Sequence, residues 1–293
     1  MRRTILPVVL ALLALAPARG AADSVGDPPH AIVSVEWLKS ALATKEGVSV
    51  VDVREAWEYA FSHVKGAAFG DPTMFIATVS GLPGMIPPPE ALTALAKKIG
   101  IRRDRGVVFY GRPDQPLAAR AALTFRLCGH ARSFWLDGGV DAAKKAGLPM
   151  EAFSEAVPPG DFVATALPSG VVDGEWVKSH LGAQDVILID TRSKEEFEAG
   201  RIPGARRVEW KQNLKEGSLR DEGDLWRVYG EVGLKAEDRS KKTVVCYCAI
   251  GTRASVNTLV LQRLGFERVE LYDGSWTEWS KGSYPIEKGN PPR

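Results

Sequence analysis

The chain contains itself twice, and this duplication limits its possible folds more than any other feature. Glu36-Trp37-Leu38-Lys39-Ser40 recurs as Glu175-Trp176-Val177-Lys178-Ser179, and the stretch from Val51-Asp52-Val53-Arg54 to Gly66-Ala67 recurs without a gap from Ile189-Asp190-Thr191-Arg192 to Gly204-Ala205. Val107-Val108-Phe109-Tyr110 matches Val244-Val245-Cys246-Tyr247, and Leu136-Asp137-Gly138-Gly139 matches Tyr272-Asp273-Gly274-Ser275. Each copy alternates short apolar strands with stretches of helical periodicity. That pattern predicts an α/β fold in each half, a parallel sheet covered by helices on both faces, with loops of interest at the carboxyl ends of strands. The segment 148–169, with Pro149, Pro158-Pro159-Gly160 and Pro168, lacks periodicity and reads as the connection between copies. The expected layout is a first domain over 30–150, a linker over 151–165 and a second domain over 166–290.

A chain of 293 residues, 45% of them apolar, has room for two such cores. Residues 1–22 carry the pattern of a secretory signal peptide: Met1-Arg2-Arg3, an apolar run from Ile5 to Ala16, then the small residues Gly20-Ala21-Ala22. The run is shorter than the roughly 20 residues needed to span a bilayer. Cleavage and export to a bacterial periplasm are expected, with no membrane attachment afterwards. Basic and acidic residues are interspersed and the formal net charge is +2, which argues against nucleic acid as a partner. The four histidines and the Cys246-Tyr247-Cys248 pair show no metal-site spacing, and no glycine-rich phosphate loop is present. Neither a metal nor a cofactor is expected.

The stretch that carries chemistry runs from Val244 to Ala254. An apolar strand, 243–247, leads through Cys248-Ala249-Ile250-Gly251-Thr252-Arg253 into a helix that ends at Gly265. A loop at a helix N-terminus collects unpaired N–H groups and the positive end of the helix dipole, which with Arg253 favours thiolate, the nucleophilic form. Gly251 lets the backbone curl so that several N–H groups converge, on a persulfide sulfur or on the oxygens of an anion. Cys246, inside the strand, and Cys128, at a helix end, read as packing residues. The first copy has Gly111 where the second has Cys248, and the prolines 113 and 116 remove N–H donors there. Only the second copy can do thiolate chemistry.

This strand, cysteine, short loop and helix resemble the active loop of the rhodanese family, and the paired halves resemble its tandem members. The resemblance covers residues 30 to 285 and implies two tandem rhodanese-like domains, the first lacking the catalytic cysteine and walling the cleft. Cys248-x-x-x-x-Arg253 is one residue shorter than the Cys-x5-Arg loop of related phosphatases and arsenate reductases, which suits sulfur. The implied site is Cys248 as nucleophile, the loop Ala249, Ile250, Gly251, Thr252 and Arg253, and Arg192, Arg253 and Trp276 toward the substrate. Arg192 could instead form an ion pair with Asp190, Glu195 or Glu196, and Trp276 could be packing. The mercaptopyruvate-using branch carries an arginine where this chain has Glu196, and its loop resembles Cys-Gly-Ser-Gly-x-Thr. Both departures favour thiosulfate or a similar sulfane donor. The implied activity is transfer of sulfur through a Cys248 persulfide to cyanide or a thiol, with small-molecule donors and acceptors and a periplasmic thiol protein as a further acceptor. The alternatives are a sulfur-carrier or partner-binding module with little turnover and, less favoured, an oxyanion phosphatase or arsenate reductase.

Overall fold

A computed structural model describes residues 26–44, 47–153, 156–166 and 169–289. Residues 1–22, expected to be a signal peptide, lie outside the described residues.

The two copies form two parallel five-stranded sheets of the same connectivity. The first contains β1 (Ile32–Val33), β2 (Val48–Asp52), β3 (Ala68–Phe69), β4 (Gly106–Tyr110) and β5 (Ser133–Leu136) in the order β1-β5-β4-β2-β3. The second contains β6 (Val171–Val172), β7 (Val186–Asp190), β8 (Arg206–Arg207), β9 (Thr243–Tyr247) and β10 (Arg268–Tyr272) in the order β6-β10-β9-β7-β8. The central strands read as unbroken apolar runs because both faces are covered. Their two-residue period sorts side chains between the faces. Val107, Phe109, Ile189 and Cys246 enter one large apolar cluster, while Val108, Tyr110, Val245 and Tyr247 enter separate clusters on the far faces.

That large cluster belongs to both halves. Helix Leu117–Leu127 follows β4, helix Ala254–Arg263 follows β9, and the two pack against each other. Ala118, Ala119, Ala121, Ala122 and Ala254 are almost wholly buried, so small side chains let the helices approach closely. The connecting segment also lies on the first half. Gly160 N–H donates to Lys97 O, those of Asp161 and Phe162 to Ile101 O, and that of Thr165 to Cys128 O. The Phe162 ring is buried 5.9 Å from that of Phe125. Residues 154–155 and 167–168 lie outside the described residues.

Candidate active site

β9 ends at Tyr247 and helix Ala254–Arg263 begins after six intervening residues, so loop 248–253 sits at the carboxyl edge of the second sheet. Its backbone is held from one side by helix Ser275–Lys281. Trp276 N–H donates to Cys248 O at 3.0 Å, and both the N–H and the hydroxyl of Thr277 donate to Ala249 O at 3.0 and 2.8 Å. Cys248 N–H donates to the Ser275 hydroxyl at 3.2 Å, which donates onward to Tyr272 O at 2.7 Å. Ser275 adopts φ +53°, a left-handed conformation unfavourable for a residue with a Cβ. Its repeat partner Gly139 has φ +52°. The half that carries Cys248 thus accepts backbone strain at the residue whose hydroxyl holds the Cys248 N–H.

The loop is held from the other side by the first half. Gly251, at φ +78°, lies so close to Asp273 that a Cβ would sit 2.7 Å from its Oδ1. Asp273 Oδ1 is paired with Arg120 Nη1 at 2.7 Å, and its Oδ2 accepts the Ile86 N–H at 2.6 Å. Arg120 Nη2 donates to Gly84 O at 2.9 Å. A Cβ on Gly84, itself at φ +80°, would meet the Ile250 Cβ at 2.5 Å. First-half residues 84, 86 and 120 therefore form one wall of the loop through a fully buried ion pair.

The three cysteines separate by environment. Burial pushes the Cys246 thiol up to about 12 and the Cys128 thiol up to about 11, so both are neutral and inert near neutral pH. Cys248 is also buried, but it alone opens the loop. Beside it Arg253 is half-buried. Its guanidinium makes a two-pronged ion pair with Glu196, Nη1 to Oε2 and Nη2 to Oε1, both 2.7 Å. Glu196 first, and Cys248 after it, hold Arg253 above the ordinary arginine range. The same pair holds the Glu196 carboxyl down to about 2. The Thr252 hydroxyl in the loop and the Thr191 hydroxyl just after β7 are buried without a hydrogen-bond partner among the described residues, which leaves both available to a bound group.

Of the two sequence readings of Arg192, the structure shows the ion pair. Its Nε and Nη2 bond both Asp190 oxygens at 2.6 to 3.1 Å, Nη2 also donates to Gly200 O, and the Trp276 ring lies 4.5 Å over its guanidinium. Asp52 and Arg54 repeat this pairing in the first half. Arg192 thus supports the site's wall and presents no free fork to a substrate. Trp276, half-buried, covers Arg192 and packs on Gly200, while its backbone holds the loop. Sequence reading missed the roles of Arg120, Gly84, Asp273 and Ser275, and took Glu196 as a departure from a relative's pattern and a candidate partner of Arg192, whereas it pairs with Arg253.

The rhodanese-like domain family matches residues 34–146 and 173–282. The chain belongs to the rhodanese-like family, as a tandem member. The thiosulfate sulfurtransferase of Azotobacter vinelandii is 30% identical over 258 residues, covering 85% of this chain and 92% of that protein. The sulfur carrier protein TtuD of Thermus thermophilus is 29% identical over 298 residues, covering 89% and 98%. The crystal structure of SseA from Escherichia coli, described as a 3-mercaptopyruvate sulfotransferase of rhodanese fold, superposes with a TM-score of 0.74 at 28% identity, covering 84% of this chain and 99% of that one. Relatives with different donors in their names lie at nearly equal identity, so donor choice has to be argued from the rhodanese site itself.

Proposed function

We propose that this protein is a sulfurtransferase that moves a sulfane sulfur from thiosulfate, or a donor like it, through a Cys248 persulfide to a thiophilic acceptor. The observation that carries this reading is Cys248 at the head of the loop that leads into helix Ala254–Arg263, beside Arg253, while burial pushes the other two thiols well above the ordinary range. In the first step the Cys248 thiolate attacks the outer sulfur of thiosulfate. The new S–S bond forms as the old one breaks, and sulfite leaves with the bonding pair. The terminal persulfide sulfur carries the charge the thiolate brought, and the loop N–H groups, the helix N-terminus and Arg253 oppose it. In the second step cyanide takes that sulfur as thiocyanate and Cys248 returns as thiolate. No separate base is needed, because no proton moves in either step.

A carrier role, in which the persulfide waits for a partner thiol, is the second reading, supported by the kinship with a sulfur carrier protein. Intact mass after thiosulfate treatment, with and without cyanide, tests both. A gain of about 32 Da that requires Cys248 and is discharged by cyanide is expected. No gain after reduction rejects thiosulfate as donor, and a gain that cyanide leaves in place favours the carrier. Residues 1–22 support export to the periplasm, which N-terminal sequencing of the exported protein would check.

A further inference from the structure

We propose that Glu196 decides which sulfur donors the site accepts, by occupying the guanidinium fork that a donor carboxylate would need. The inference rests on the sulfurtransferase reading above and names the donor class. Arg253 offers its two terminal nitrogens as a planar pair, the geometry that binds a carboxylate most tightly, and Glu196 takes both at 2.7 Å.

Glu196 is not free to swing aside. It stands at the third position of helix Lys194–Ala199, where its Oε2 accepts the Ser193 N–H at 3.0 Å and its own N–H donates to the Ser193 hydroxyl at 3.3 Å. Moving the carboxylate away would uncap the helix. The group also stays ionised across any working pH. Arg192 is taken up by Asp190 and Gly200, and Arg120, which backs the loop, by Asp273 and Gly84. Three arginines thus face three carboxylates. Besides the loop backbone, a donor anion is left with the Thr252 and Thr191 hydroxyls, which have no hydrogen-bond partner among the described residues. Converging N–H groups suit a compact tetrahedral head, such as the sulfonate end of thiosulfate. A donor bearing a planar carboxylate meets an occupied fork and a fixed negative charge behind it.

The first half argues that the acid is not inherited with one fixed arginine. Glu58 occupies the position repeating Glu196 and pairs with Arg112 at 2.9 Å, yet Arg112 follows the first residue of its loop whereas Arg253 ends the other. The acid recurs while its arginine comes from a different place.

The test is steady-state turnover to cyanide with thiosulfate and with 3-mercaptopyruvate, for the wild type, E196Q and E196A. Glutamine keeps the helix cap and removes the charge. The ratio of kcat/KM for 3-mercaptopyruvate to that for thiosulfate should rise about tenfold to a hundredfold in E196Q, through KM, the range a charge-assisted hydrogen bond spans. Pyruvate, a carboxylate without the reacting sulfur, should inhibit thiosulfate turnover more tightly by a similar factor. A ratio and a pyruvate inhibition within twofold of the wild type in both variants would overturn the proposal. So would a wild type that already prefers 3-mercaptopyruvate, whatever the variants do. A wild type that forms no persulfide from either donor would instead overturn the sulfurtransferase reading.

Discussion

Arg120→Met removes one partner of a pair in which both side chains are buried, Arg120 at 0% and Asp273 at 3% exposure. Losing the cation leaves the Asp273 carboxylate without its counter-charge in the joint between the halves. Breaking such pairs typically costs 3–5 kcal/mol. Asp273 keeps its hydrogen bond from Ile86 N–H, which places the expected loss near the lower end, about 3 kcal/mol. Methionine retains most of the stem volume, so packing contributes little to that figure. Activity should fall as well, because Gly251 rests against both members of the pair and the loop loses its backing. At least a tenfold loss in persulfide formation is expected, with the second half still folded by near-UV circular dichroism. Adding Asp273→Asn to the variant removes the stranded charge, so the double variant should be more stable than the two single losses combined, by 1 kcal/mol or more. Urea titration followed by tryptophan fluorescence measures all four corners of the cycle. A single variant that loses less than about 1 kcal/mol, or strict additivity in the cycle, would refute the claim that this ion pair couples the halves.

Ser275→Gly should separate stability from rate: glycine relieves the left-handed strain while the hydrogen bond from Cys248 N–H is lost, so stability stays within about 1 kcal/mol of wild type. Persulfide formation, followed by stopped-flow with thiosulfate, should nonetheless slow about tenfold, and an unchanged rate would show that the hydroxyl does not position Cys248. The Glu196 carboxyl is held below its unfolded value of 4.5, so its contribution to stability is complete above about pH 4.5 and is lost as pH falls toward about 2. Thermal melts from pH 6 to 2 should show that part of the acid loss flattened in E196Q; parallel curves for the two proteins would contradict it.

Much of the architecture was legible because it is local. The central strands are continuous apolar runs, the helix after β9 has a clear period and stop, and loop 248–253 sits between them as its neighbours dictate. The duplication then fixed the second sheet from the first. The parts that escaped are pairings across long sequence separations. Arg120 meets Asp273 only once the two helices dock, although a lone arginine inside Leu117-Ala118-Ala119-Arg120-Ala121-Ala122-Leu123 was a signal: a charge on a helix apolar all round must find a buried acid. Glu196 was hidden differently. Ser193-x-x-Glu196 satisfies a helix cap on its own, so nothing local requires the carboxylate to reach Arg253, which lies far along the chain. Arg192 was ambiguous in sequence because an Asp-x-Arg element serves equally as an ion pair or as an anion site, and only the position of Asp190 decides between them.

Why a half without a nucleophile keeps so much of its site follows from how the halves meet. Asp137 and Asp273 are repeat-equivalent, and each accepts a backbone N–H from the other half at 2.6 Å, Asp137 from Leu219 and Asp273 from Ile86. The acceptors sit just past the last sheet strand in each copy, and the donors in or just after the two-stranded hairpins Leu214–Leu219 and Ala77–Met85. This is the reciprocal pattern of a two-fold dimer, carried here within one chain. Such an interface constrains both copies equally, whichever one carries the chemistry. Replacing cysteine by Gly111 therefore removes the reaction from the first half without releasing Asp137, Gly84 or Arg120 from their work on the second. The Asp52–Arg54 fork and the Glu58–Arg112 pair persist as well, beside the first half's own loop. The catalytic half is incomplete alone, since the loop's backing is an arginine and a glycine from the other copy.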